Sequence, residues 1–414
     1  MKQAKNNNGW RWILLFTGVL WLCTFASRVI LSPLMGLFQD KWELTGAEVG
    51  MLGSVIYLSY FIFQIPSGLL ADKWNRKKIM VLGGILQGIA VVGCGCFDNV
   101  FSFAFFRLLT GIFSAAIFSS SFGYIASTLP SEKKVMGIGI VHSFMPLGIV
   151  VGTVFTSEIT FRYNLYWGTS FVIFGLGIIL SSVILSLLTK GKEEQPFRIE
   201  EKNKEPGKTK SILLYMKEFS KNKNLFYLSI IAFIQGYTLF VIITWLPYFF
   251  RQGGFNALDA GNLSSFAYVL AVPATIIIAL SMRNLKTIKK IKKPLLSIMI
   301  VNILSILIIV NSLNKYILIF ALTIYGLTSR LSTSPLHIHL VTEFSKLKNY
   351  SQNLSIFNSF ACLAMFIAPI ITGFLFDLTG ILDTGFYVAI FMEVIALLLM
   401  KFGINDVRRE LISN

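Results

Sequence analysis

The chain alternates long apolar runs with short polar gaps. Twelve runs can be drawn, at about 12–37, 47–70, 79–97, 101–128, 135–160, 167–189, 225–250, 259–281, 294–312, 316–341, 353–376 and 385–403. Each is near the roughly 20 residues that cross the hydrocarbon of a bilayer as an α-helix. The first run is too long for a cleavable signal peptide, and no small-residue cleavage site follows it. One gap differs from the rest. Sixteen of the 35 residues from Lys190 to Asn224 are charged, so that segment cannot lie in lipid, and it divides the runs into six and six. The pattern predicts an all-α integral membrane protein. Twelve transmembrane helices form two six-helix bundles around a central cavity. Residues 1–189 make the N-terminal bundle, 190–224 a cytoplasmic linker and 225–414 the C-terminal bundle. Ser211–Ser220 reads as a short amphipathic surface helix.

Composition sharpens this picture. Of 414 residues, 55% are hydrophobic and 14% charged, against about 25% charged in a typical soluble protein. A soluble chain of this length would lack the polar residues to cover its surface.

The net charge of +17 invites a nucleic-acid reading, but the positions of the bases exclude it. Only Lys41, Arg162, Arg251 and Lys315 fall in loops on one side. Arg28, Arg107 and Arg330 lie within runs. The rest of the 37 Lys and Arg cluster on the other side. This is the positive-inside bias. It predicts a multi-pass protein of the cytoplasmic membrane with both termini cytoplasmic, the bilayer as partner, and no nucleic acid. The chain is expected to act as a monomer.

Other chemistry is sparse. Cys23, Cys94, Cys96 and Cys362 fall within or at the ends of runs, where such residues act as small apolar groups. No metal-ligand cluster, P-loop or nucleophile elbow is present. The sequence therefore predicts no enzyme, no metal and no cofactor. Small residues four apart, Gly84/Gly88, Gly111/Ala115 and Gly148/Gly152, allow close helix approach. Pro66, Pro146, Pro247, Pro273, Pro335 and Pro369 sit inside runs as expected kinks.

The gap between the second and third runs reads "GLLADKWNRKK". It resembles the loop motif of the major facilitator superfamily, G-x-L-A-D-[RK]-x-G-R-[RK], with Gly68, Leu70, Ala71, Asp72, Lys73, Arg76 and Lys77 in place. Asn75 stands where the second Gly belongs, a mild departure because Asn tolerates a left-handed backbone. "RLLTGIFSA" from Arg107 resembles the superfamily's fourth-helix motif. The corresponding loop in the second half, 283–294, keeps its bases but lacks the acid. The resemblance implies that the loop gates the transporter. Asp72 would dock on the positive N-terminus of helix eleven, near Asn353. Arg107 is expected to be structural or gating.

A narrower resemblance runs along most of the chain. "SRVILSPLMGLFQDKWELTGAEVGMLGSVIYLSYFIFQIPSG", "WLPYFFRQGGFNALDAGNLSS" and "LSIFNSFACLAMFIAPIITGFLFDLTG" are similar to segments of the anion:cation symporter family, which includes sialin-like and sugar-acid transporters. Arg28, Tyr60, Gln64, Pro66 and Gly68 carry the match in the first two helices.

The residues support an anion unaided. Arg28 lies too deep to reach either surface, and a lipid-facing Arg at depth costs several kcal/mol. Thr17, Trp21, Thr24 and Arg28 form one helical stripe. Gly53, Tyr57, Tyr60 and Gln64 form another. Thr323, Gly326, Arg330, Thr333 and His337 form a third, and Ser355, Asn358 and Cys362 a fourth. Arg offers a planar fork to a carboxylate, sulfonate or phosphate. Arg28, Tyr57, Tyr60, Gln64, Gln235, Tyr237, Arg330 and Asn358 are the candidate substrate contacts. His337 and His339 are expected to meet water at the cytoplasmic end of their helix.

Proton-coupled members of that family resemble one another in an Asp before the helix-one Arg and a Glu seven residues after the helix-four Arg. Here these are Ser27 and Ser114, expected to line the cavity, and neither carries a proton near neutral pH. Coupling must use another group, with Glu393 and His142 as candidates, a different ion, or anion exchange. The expected function is secondary transport of a small organic anion, with uptake as the direction. An exporter of a larger amphipathic metabolite, siderophore or drug is the alternative, although helix five, "GIGIVHSFMPLGIVVG", lacks the Gly-rich exporter motif. A non-transporting membrane sensor or scaffold is the alternative of another class.

Overall fold

The structure, a computed structural model, describes residues 9–129, 134–189, 219–281, 288–345 and 350–404. All regular elements among them are helical. They are α1 (Gly9–Val29), α2 (Leu31–Trp42), α3 (Gly46–Lys73), α4 (Arg76–Cys96), α5 (Val100–Thr128), α6 (Lys134–Ser157) and α7 (Gly168–Leu188). After the charged segment come α8 (Lys223–Gln252), α9 (Ala257–Val269), α10 (Ala271–Ser281), α11 (Ile288–Asn311), α12 (Lys315–Thr328), α13 (Arg330–Phe344), α14 (Tyr350–Thr379) and α15 (Asp383–Leu398). Short π-helical turns, Glu158–Arg162 and Leu399–Gly403, follow α6 and α15. Together they make twelve stretches long and apolar enough to cross a membrane. Large apolar side chains point outward, as with Leu180, Leu187, Phe391 and Phe402. That suits a hydrocarbon solvent.

Three spans are interrupted. In the first, Pro33 lacks the N–H that the Val29 carbonyl four residues back would accept. The helix therefore parts at Ile30, whose backbone stays helical (φ −50°, ψ −38°). Pro273 does the same to Val269, and α9 gives way to α10 at Leu270. The tenth span breaks more sharply. Ser329 is extended (φ −62°, ψ 165°), so the run 316–341 is two helices and Arg330 opens the second.

The described residues form two compact units. The first holds α1, α2, α3 beyond Gly50, α4 to α7, and Gly254–Ser265. Small residues bring its helices together. A Cβ on Gly88 of α4 would lie 2.7 Å from the Gly175 carbonyl oxygen of α7, and one on Gly175 2.8 Å from that of Gly88. Such contact lets dispersion and weak C–H···O bonds act between backbones where no hydrophobic effect drives helix pairing.

The second unit holds Thr45–Gly50, the remainder of α8 to α15 and the turn after α15. Its core packs Leu228, Ile231, Ile291, Leu295, Leu340, Phe357 and Met400. Trp245 of α8 donates its indole N–H to the Pro369 carbonyl of α14 at 3.1 Å.

Each unit carries the same lysine pin. Lys77, in the first turn of α4, donates to the Thr189 carbonyl just past α7 at 2.5 Å. Lys292, in the first turns of α11, donates to the Ile404 carbonyl past the final π turn at 2.6 Å. A helix C-terminus leaves carbonyls unpaired and bears partial negative charge, so an ammonium is a fitting partner.

Asn75 corrects a sequence expectation. Its φ of 179° is extended, not left-handed, and its side chain caps α4 by accepting from the Lys78 N–H at 2.9 Å. Asn suits that position, because a helix begins one residue later and its first turn offers an unpaired N–H.

Candidate functional site

In the first unit the candidate residues gather around the end of α1. Arg28 lies in its last turn and is 6% exposed. Its guanidinium carbon is 4.6 Å from the ring centroids of both Phe25, one turn earlier, and Tyr60 of α3. Nη2 donates to Ser114 Oγ of α5 at 3.0 Å. Nε is buried without a hydrogen-bond partner. Among the described residues no carboxylate pairs with the group. Glu393, in the other unit, is the one acid among the buried side chains of the described residues.

Tyr57 is buried one turn before Tyr60, within the electrostatic reach of Arg28. Gln64 is half-buried one turn beyond. Ser27 is buried and turned back on its own helix, donating to the Thr24 carbonyl at 2.7 Å.

Arg107 is engaged differently. It is 1% exposed and reaches from α5 to the Ser27 and Arg28 carbonyls (3.2 and 3.3 Å) and the Gly53 carbonyl (3.4 Å). Those acceptors sit in the last turn of α1, beside the break that Pro33 makes, and on α3. Arg107 thus ties three helices through backbone oxygens. Nε of Arg107 is without a hydrogen-bond partner, as in Arg28, but both its Nη atoms are taken by carbonyls, whereas Arg28 is held by one neutral hydroxyl and two ring faces.

Farther along α1, Trp21 donates to Ser121 at 3.0 Å and Thr24 to Gln87 at 3.3 Å. His142 of α6 is half-buried, with its ring 6.2 Å from that of Trp21. Phe25 and Gln87 were not among the sequence candidates. The i−3 spacing of Phe25 from Arg28 was a usable sign, as was a lone Gln in the middle of an apolar run.

In the second unit Arg330 opens α13. Its guanidinium carbon is 5.6 Å from the Phe357 ring centroid, and its Nη1 is buried without a partner. Glu393 of α15 is 2% exposed and lies beside the Thr238 hydroxyl of α8. Glu393 is within electrostatic range of Arg330 but makes no ion pair with it. Gln235 and Tyr237 of α8 are buried, and Asn358 of α14 is half-buried, donating to Cys362 Sγ at 3.7 Å.

His337 departs from expectation. It is 1% exposed, not at water. Its Nδ1 is 3.1 Å from the Thr333 carbonyl, which can only accept, so Nδ1 carries the hydrogen. His339, two residues on, is half-buried.

Of the loop motif, Lys77 is the pin described above, and Arg76 lies against α5 at Gly123. Gly68 and Asp72 are in α3, but their side chains fall outside the described ones, as does the expected Asp72 contact. The surface helix expected over 211–220 lies largely outside the described residues.

Comparison with known proteins adds four findings. The sequence profile of the Major Facilitator Superfamily matches residues 17–336. An uncharacterized MFS-type transporter of Methanocaldococcus jannaschii is 26% identical over 92% of this chain and 96% of its own length. A protein of Agrobacterium vitis named for tartrate transport is 21% identical over 91% of this chain and 86% of its own. The crystal structure of a bacterial homolog of the human lysosomal transporter Spinster, inward-facing and unoccupied, superposes with a TM-score of 0.77. It covers 97% of this chain and 99% of that one at 17% identity, which is a likeness of fold.

Proposed function

This chain belongs to the major facilitator superfamily, and from that premise we propose that it carries a small organic anion across the cytoplasmic membrane by alternating access, with net uptake. It is a secondary transporter and not an enzyme. One observation carries the anion reading: Arg28 is a buried guanidinium with no carboxylate partner among the described residues and an unused N–H. A buried charge without a counter-ion is costly, by several kcal/mol even after relaxation. An anionic substrate removes that cost and gains charge-assisted hydrogen bonds. The rings of Phe25 and Tyr60 stabilise the cation in the empty state.

Arg330, with its free Nη1, is the corresponding contact of the second unit in this reading, and Gln235, Tyr237 and Asn358 line the path. Within the superfamily, the motifs around Arg28 and Tyr60 favour the anion:cation symporter branch. The relative named for tartrate, a hydroxylated dicarboxylate, supports the same class. Both termini are cytoplasmic in this reading, because the basic loops are.

Counterflow in proteoliposomes tests the reading. Vesicles loaded with unlabelled dicarboxylates, sulfonates or sugar acids should accumulate the same labelled compound transiently. Cationic or neutral amphipathic compounds accumulating in place of every anion would favour the exporter reading and overturn this one.

A further inference from the structure

The partner that holds Arg28 is neutral and has a fixed orientation. Ser114 is 1% exposed, and its hydroxyl sits 3.0 Å from Arg28 Nη2. The same oxygen is 3.0 Å from the Gly111 carbonyl, three residues back in α5. A carbonyl cannot donate, so the serine hydrogen goes to Gly111 and a lone pair is left facing Arg28. Gly111 packs against the Ile56 backbone and Ser59 of α3, so the anchor itself sits at a tight helix contact.

We propose that Ser114 is the positioning residue of the anion site. It orients the Arg28 guanidinium without neutralising it, so that the bound anion is the only counter-charge and its affinity is insensitive to pH near neutrality. This rests on the reading of Arg28 as the anion contact.

The charged and titratable groups around Arg28 are consistent with that behaviour. Arg107 comes from α5, and Tyr57 and Tyr60 from α3. Cys94 of α4 lies near Arg107. His142 of α6 packs on Trp21, two turns of α1 away from Arg28. None is a carboxylate. A hydroxyl and a carboxylate would both align the fork, but with opposite consequences. A carboxylate at position 114 would lie about 3 Å from the guanidinium and form an ion pair that competes with the ligand. The anion would then enter only when that carboxyl is protonated.

The experiment measures binding of tartrate, malate and sulfoacetate to purified full-length protein at pH 6 and pH 8, where all three stay ionised. Wild type should bind its preferred anion with an affinity that changes less than about threefold between the two. Ser114→Thr, which keeps the acceptor, should stay close to wild type. Ser114→Ala should weaken binding by about 10-fold at both pH values. Ser114→Glu should bind at least about 100-fold more weakly at pH 8 and recover part of the loss at pH 6. Thermal unfolding of each variant separates loss of fold from loss of binding.

Ser114→Ala binding like wild type, or Ser114→Glu binding like wild type at pH 8, would overturn the positioning role. Arg28→Ala is the control that distinguishes the two levels. If it binds these anions as wild type does, or if wild type binds none of them, the anion reading itself fails and the role of Ser114 falls with it.

Discussion

Asp377, near the end of α14, caps a helix that begins at Gly46, more than 300 residues earlier. Its two carboxylate oxygens accept from the Gly46 N–H at 2.7 Å and the Ala47 N–H at 2.8 Å. The next donor in the turn is served locally. Thr45 and Glu48 form a capping box in which the Glu48 N–H meets Thr45 Oγ1 at 3.3 Å and the Thr45 N–H meets Glu48 Oε2 at 2.9 Å. All three leading N–H groups of α3 are therefore satisfied, two of them by a charge.

Replacing Asp377 with Ala should remove both bonds. The site is exposed, so solvent covers part of the loss, and about 1–2 kcal/mol is expected, in the range of a lost N-cap. Thermal unfolding in detergent would show a lowered midpoint, with Asp377→Asn between Ala and wild type. An unchanged midpoint in Asp377→Ala would mean that water replaces the carboxylate at no cost.

The Lys292 pin makes a second stability prediction. Its ammonium is nearly buried and bonds the Ile404 carbonyl. Lys292→Met keeps the stem and deletes the donor, leaving a carbonyl unpaired, at a cost of about 1–3 kcal/mol. Lys292→Met should unfold at lower temperature than Lys292→Arg. Equal stability of the two would remove the pin from the account.

Much of this architecture was legible in the sequence, because lipid demands long apolar runs and internal satisfaction of backbone polar groups. The twelve spans follow from that alone. Breaks were less legible. Pro273 was among the expected kinks and Pro33 was not, and Ser329 could not be read at all, since an extended residue between two helical runs leaves no mark in hydropathy. The position of His337 near the end of its helix points to water, yet the side chain is buried. Asn75 fills a Gly position of the motif, and only the structure shows that its side chain serves as a cap. At the site, Arg28 stood out by charge and depth. Phe25 and Gln87 did not, because aromatic and amide residues are ordinary packing in any membrane helix.

Topology is testable directly. A cysteine placed at Asn256 should react with an impermeant reagent in intact cells, and one at Asn203 only after permeabilisation. The reverse labelling would invert the sidedness derived from the basic loops.

Coupling is the fourth prediction. Glu393 is buried and without an ion pair among the described residues, and His142 is half-buried beside Trp21. In proteoliposomes, substrate flux should respond weakly to an imposed pH gradient, and that response should vanish in Glu393→Gln or His142→Ala. Strong proton-driven accumulation surviving both substitutions would place the coupling group elsewhere.

The central claim is that Arg28 binds the anion, and the most direct measurement is the affinity of purified protein for its preferred anion in wild type, Arg28→Ala and Arg28→Lys. Loss of a charge-assisted fork predicts at least about 100-fold weaker binding in Arg28→Ala. Arg28→Lys should also fall by more than about 10-fold, because a point charge does not replace two parallel donors. Both variants should remain folded by thermal unfolding. An Arg28→Ala protein that is folded and binds the anion with near wild-type affinity would contradict the account.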